Sequence, residues 1–116
     1  MDLLLIVNES PWGSELPAVA LRLANAVVGA GDRILAVFFR ADGVYNAISG
    51  GHQDRGTPDL TTDWRSFSKQ HDVELMLCSA AMQRRLPVDA IADGFRPAGL
   101  IEVFDLIDGC DRVVTF

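Results

Sequence analysis

Val73-Glu74-Leu75-Met76-Leu77-Cys78-Ser79-Ala80-Ala81-Met82-Gln83-Arg84-Arg85 decides how this chain folds. Its first half is a short apolar run of strand length. Its second half, from Ser79 onward, is built from strong helix formers. Only Cys78 separates the two. A buried strand that passes into a helix within one residue is the repeating unit of a parallel α/β sheet. The same alternation recurs on either side of it.

Upstream, residues 3–7 (Leu-Leu-Leu-Ile-Val) form a continuous apolar run, as expected for a strand covered on both faces. A loop at 8–14 follows, with Ser14 as the expected N-cap and Pro17 in the first helical turn. Val19, Ala20, Leu23, Ala24, Val27 and Val28 recur along one helix face, which Gly29 and Gly31 close. Residues 34–39 give a second apolar strand. The Gly-, Asp-, Asn- and Ser-rich stretch 40–58 reads as mostly loop, with a mobile centre at 49–56. Asp59 is placed to cap a helix that carries Leu60, Trp64 and Phe67 on one side.

Downstream, the helix after Cys78 should stop near Pro87, and residues 89–93 can add a further turn. Phe95 marks a short fourth strand. Leu100, Val103, Phe104 and Ile107 then space as one helix face, closed by Gly109, and residues 112–116 form a last strand. No repeat, linker or low-complexity tract interrupts the pattern. The expectation is an α/β fold of one domain, residues 1–116, with a doubly wound, mostly parallel, five-stranded sheet, flavodoxin-like in outline, and helices on both faces.

Composition narrows the function. A length of 116 residues supports one core, and a net charge of −6 is wrong for a chain that holds nucleic acid directly or docks on anionic lipid. No apolar run reaches the roughly 20 residues of a membrane helix, and the N-terminal run lacks the basic flank of a signal peptide. Cys78 and Cys110 form no CxxC pair, so free thiols in a cytoplasmic, reducing setting are expected.

In sheets of this kind ligands bind at the carboxyl ends of the strands. The loops at 8–13 and 40–46 and Cys78 converge on that edge, so Trp12, Gly13, Asp42, Gly43 and Asn46 are the candidate pocket residues. Cys110 precedes the last strand and falls on the opposite edge. A strand of five or six residues separates the two edges by roughly 17–20 Å, too far for a disulfide. A helix N-terminus and neighbouring guanidinium groups both favour a thiolate, which is the nucleophilic form, so Ser79, Arg84 and Arg85 are candidates for stabilising an anion at Cys78. The competing reading makes Cys78 a small buried hydrophobe.

Cys78 and Arg84 also match the C-x5-R spacing of thiolate phosphatases. The intervening Ser-Ala-Ala-Met-Gln has no glycine and favours helix over an anion-wrapping loop. His71 suits a helix end and His52 a surface loop. No cluster has metal-ligand spacing, and no glycine pattern forms a phosphate-binding fingerprint.

Taken together, several blocks resemble the DsrE/TusD family of small sulfur-relay proteins nearly end to end. They are Pro11-Trp12-Gly13-Ser14, then Val37-Phe38-Phe39 with Asp42-Gly43-Val44-Tyr45-Asn46-Ala47, then Cys78-Ser79-Ala80-Ala81-Met82-Gln83-Arg84-Arg85, Gly94-Phe95 with Gly99-Leu100, and the segment from Cys110 to Phe116. The resemblance implies a DsrE-like fold and a sulfurtransferase in which Cys78 accepts sulfur as a persulfide and passes it to a partner's cysteine, without metal or organic cofactor. It implies a place in tRNA 2-thiouridine formation or in sulfur oxidation. The implied partners are related small subunits of TusB/TusC or DsrF/DsrH type, or copies of the chain itself as a trimer or hexamer, together with a sulfur donor and a TusE/DsrC-like acceptor. Two positions depart from the family pattern. Leu86-Pro87 and a short connection follow the arginine pair where relatives have Gly and a longer segment, and Arg40 stands where relatives often carry Tyr. The alternatives are a non-catalytic subunit of such a complex and a small-anion or nucleotide pocket without covalent chemistry.

Overall fold

The computed structural model describes residues 1–48 and 59–116. The expected mobile centre at 49–56 and His52 lie outside the described residues. Five strands form one all-parallel sheet: β1 (Asp2–Val7), β2 (Arg33–Phe39), β3 (Glu74–Cys78), β4 (Phe95–Ala98) and β5 (Arg112–Thr115), in the order β4-β3-β2-β1-β5. The chain steps in one direction from β1 to β4. Right-handed crossovers therefore lay α1 (Leu16–Gly29), α2 (Leu60–His71) and α3 (Ser79–Arg85) on one face. The last crossover runs back past β1, so α4 (Leu100–Gly109) lies on the other face.

Each of the strands β1 to β4 supplies both cores, and β5 adds Val114 to the first. On the three-helix side Leu3, Leu5, Val7, Val37, Phe39, Leu75 and Leu77 meet Ala20, Ala24, Trp64, Phe67 and Ala81. On the α4 side Leu4, Ala36, Phe38, Met76 and Ala98 meet Val103. The β1–β2 register shifts between Leu3 and Leu4, which pair with Ile34 and Ala36. This bulge lets Ile34 and Val37 face the same core although they are three residues apart.

Local details depart from the sequence reading in four places. Glu15, not Ser14, is the N-cap of α1, while the Ser14 hydroxyl accepts the Leu16 N–H at 3.2 Å. The stretch expected as loop after β2 contains a 3₁₀ helix, Ala41–Ala47, followed by a bridge from Ile48 to Ile91. The turn expected at 89–93 is a 3₁₀ helix at Val88–Ala90. The stripe expected to bury α4 does not do so: Val103 is buried, but Leu100, Phe104 and Ile107 are exposed beside Ile101. A lone helix touches the sheet along one narrow line, and here Val103, Leu106 and Cys110 occupy it.

Asp59 caps α2 as expected, accepting the Thr62 N–H at 3.1 Å. Asp72 ends α2 in a left-handed conformation, φ +55°. His71 sits in the last turn with its ring 5.0 Å from that of Phe67.

Candidate functional site

Cys78 is the last residue of β3 and the N-cap of α3, half-buried at the carboxyl edge of the sheet. Its side chain touches both cores. No hydrogen-bond partner of its sulfur is found among the described residues. Cys110 lies at the amino edge, where Asp111 donates its N–H to the Asp2 carbonyl. Both cysteines are free.

The residues expected to support Cys78 divide into two groups. Ser79 does not face the thiol with its hydroxyl, which donates to the Ala98 carbonyl at 3.1 Å and ties the start of α3 to the end of β4. Arg84 is exposed. Arg85 reaches back to the 3₁₀ helix after β2, where its Nε lies 2.9 Å from Asp42 Oδ1.

Of the candidate pocket residues, Gly43 and Asn46 are buried and build the edge itself. A Cβ on Gly43 would stand 2.0 Å from the Val7 carbonyl oxygen, so only glycine lets the 3₁₀ helix press onto the end of β1. Asn46 Nδ2 donates to the carbonyls of Glu9 (3.1 Å) and Gly43 (2.8 Å), fastening the loop after β1 to the segment after β2. Its Oδ1 is buried without a partner among the described residues. Trp12 is partly exposed and lies against Tyr45, ring centroids 5.7 Å apart. Gly13 is an exposed turn residue at φ +79°. The structure thus gathers Trp12, Asp42, Gly43, Asn46, Cys78 and Arg85 on three neighbouring segments of one sheet edge.

Sequence reasoning missed two members. The Thr61 hydroxyl donates to the Asn46 carbonyl at 2.7 Å, anchoring the 3₁₀ helix to α2, and the Glu9 carbonyl receives Asn46. A threonine two residues after a predicted N-cap was the only available signal for the first. The second is a main-chain group and leaves none.

Two open grooves of about 570 and 390 Å3 run elsewhere, between α2 and the turn leading into β4. Arg65, Lys69 and Gly94 line the larger and Asp72, Phe95 and Arg96 the smaller; Cys78 lines neither. No cluster of possible metal ligands occurs among the described residues, and none of their helices is long and apolar enough to cross a membrane.

The profile of the DsrE/DsrF-like family matches residues 1–116. The chain belongs to the DsrE/DsrF-like family. It is 36% identical to a protein of Vibrio parahaemolyticus named "Sulfurtransferase TusD homolog", over 97% of this chain and 95% of that one. It is 32% identical to "Sulfurtransferase TusD" of Sodalis glossinidius, over 100% of this chain and 98% of the relative. In three dimensions it is similar to the crystal structure of the ychN protein from E. coli, with a TM-score of 0.84 over 100% of this chain and 99% of that one. Sequence identity to that structure is 24%, so the likeness speaks for the fold.

Proposed function

We propose that this protein is a sulfur-relay sulfurtransferase in which Cys78 carries sulfur as a persulfide between two partner cysteines. The observation that carries this reading is the position of Cys78, a half-buried thiol where β3 meets α3 at the carboxyl edge of the sheet, the edge at which open parallel sheets bind ligands, in a chain whose relatives are named sulfurtransferases.

The chemistry needs only thiols. The Cys78 thiolate attacks the outer sulfur of a donor persulfide. A new S–S bond forms on Cys78, the donor's S–S bond breaks, and the donor leaves as a thiolate. An acceptor thiolate then attacks the sulfur held on Cys78 and expels the Cys78 thiolate. Each step is thiol–disulfide exchange without net oxidation. The chain's part is to hold the sulfur at a fixed edge, partly shielded from water, and to offer cationic groups to an anion there.

A relay subunit must meet its donor, its acceptor and its assembly mates. The exposed residues Leu100, Ile101, Phe104 and Ile107 of α4 offer an apolar surface for related small subunits of the TusB/TusC or DsrF/DsrH type, or for copies of this chain as a trimer or hexamer. Trp12 offers apolar surface at the Cys78 edge itself, where a TusE/DsrC-like acceptor has to approach. The setting is the reducing cytoplasm.

Intact mass after incubation with a persulfide donor tests the proposal. One added sulfur atom is expected on wild type, removable by a thiol reductant, and none on Cys78→Ser. Equal loading of both proteins would exclude the mechanism. Absence of sulfur on either, with assembly partners supplied, would point to a non-catalytic subunit.

A further inference from the structure

The ion pair between Asp42 and Arg85 joins two segments that flank Cys78. Arg85 closes α3, seven residues after Cys78. At about 1.5 Å per residue its Cα lies about 10 Å along the helix, away from the sheet edge. Asp42 is the third residue after β2 and belongs to the carboxyl edge, next to Gly43 at the Val7 carbonyl. The 2.9 Å contact therefore draws the guanidinium back along α3 toward the edge where the thiol sits. Helical side chains lean toward the N-terminus in any case, so this direction needs no distortion.

Asp42 stands on a rigid base. Gly43 is wedged against β1, and Asn46 and Thr61 fasten the rest of the 3₁₀ helix. Asp42 engages Arg85 through Nε, and the terminal nitrogens of Arg85 have no acceptor among the described residues. Those are the donors with which arginine grips an anion. Asp42 is 61% exposed and Arg85 29%, so as a stabilising contact the pair contributes little. Its consequence is where it leaves the cation.

We infer that Asp42 is a positioning residue for Cys78: it holds Arg85 so that the guanidinium faces the anion formed at the thiol. The inference rests on the reactive role given to Cys78. Among the described residues, the segments that follow β1, β2 and β3 also carry the charged or titratable groups Glu9, Glu15, Arg40, Tyr45, Arg84 and Asp89. Glu102 on α4 is engaged by Arg96. Asp42 is bonded to Arg85 and to none of these groups.

The sign of one effect separates positioning from simple charge. If Asp42 acted only as a nearby negative charge, Asp42→Asn would make the thiol more reactive at neutral pH. If Asp42 positions Arg85, the same change lets the cation swing into solvent and makes the thiol less reactive. The measurement is the pH profile of Cys78 alkylation by iodoacetamide in Cys110→Ser protein, for the parent, Asp42→Asn, Arg85→Gln and the double variant. Asp42→Asn and Arg85→Gln should each move the profile to higher pH, slowing alkylation at neutral pH about threefold. The double variant should match Arg85→Gln alone, because the two residues act as one unit. A shift to lower pH in Asp42→Asn, or unchanged profiles in both single variants, overturns the inference. Thermal unfolding of each variant separates misfolding from mispositioning, and Asp42→Ser, which also breaks the pair, provides a second variant should Asp42→Asn not fold. Failure of the parent to take up sulfur would overturn the proposed function and leave the alkylation result to judge Asp42 separately.

Discussion

The two cysteines stand on opposite edges of one sheet, and their surroundings differ in kind. At the amino edge the Cys110 sulfur lies 3.4 Å from the carbonyls of Ile107 and Arg112, so two acceptors are at hand for its proton. The same edge carries exposed ion pairs, Arg33 with Asp2 and the Met1 amino group with Asp32. At the carboxyl edge Cys78 has no such acceptor among the described residues, and its neighbours are buried and locked, Gly43 by contact and Asn46 by hydrogen bonds. One edge is closed by exposed charges. At the other, a Cβ on Gly43 would meet the Val7 carbonyl, and Asn46 ties two segments together. That contrast points to the carboxyl edge as the working one.

The largest expected effect is at Cys78. Cys78→Ser should remove sulfur loading completely in the mass assay while the fold persists, because the change is nearly isosteric. Gly43→Ala comes next. Its new methyl group meets a backbone oxygen that cannot yield, so a stability loss of about 3 kcal/mol is expected in denaturant unfolding. A loss below about 1 kcal/mol would mean that the edge is softer than the contrast requires.

Smaller effects lie outside the Cys78 cluster, between β4 and α4 and at Cys110. Arg96 holds the Glu102 carboxyl below its ordinary value of 4.5. A lowered carboxyl contributes stability that is present above that value and is lost as pH falls through the lowered one. Glu102→Gln should therefore cost a little stability at about pH 7, and the gap between urea midpoints should narrow as pH falls through the lowered value. Cys110→Ser is expected to leave sulfur loading unchanged. Loss of loading with an intact fold would break the comparison between the edges.

Much of this was legible in the sequence because strands covered on both faces announce themselves as apolar runs. Leu3 to Val7 and Leu75 to Leu77 needed no tertiary information, and neither did the placing of Cys78 where strand becomes helix. The 3₁₀ helix Ala41–Ala47 was illegible, since Asp-Gly-Val-Tyr-Asn has loop composition and its order comes from Gly43 meeting β1 and Asn46 meeting Glu9, both distant in sequence. The exposed side of α4 misled for the opposite reason. Apolar periodicity reports that a face will be covered without saying by what, and the sheet covers only the line through Val103. The Asp42–Arg85 pair spans 43 positions and has no local signature.

The strand order has a consequence for how the chain acquires its structure. β1 is an inner strand between β2 and β5, and its pairing with β5 sets Leu3 beside Arg112. The neighbours β1, β2, β3 and β4 can zip together through successive crossovers, each closing a modest loop. The second side of β1 waits for a contact that spans nearly the whole chain. On the ribosome, an almost wholly apolar strand therefore presents an unpaired edge until α4 and β5 have emerged. The interval before that closure is when a nascent chain of this design most needs protection from its neighbours.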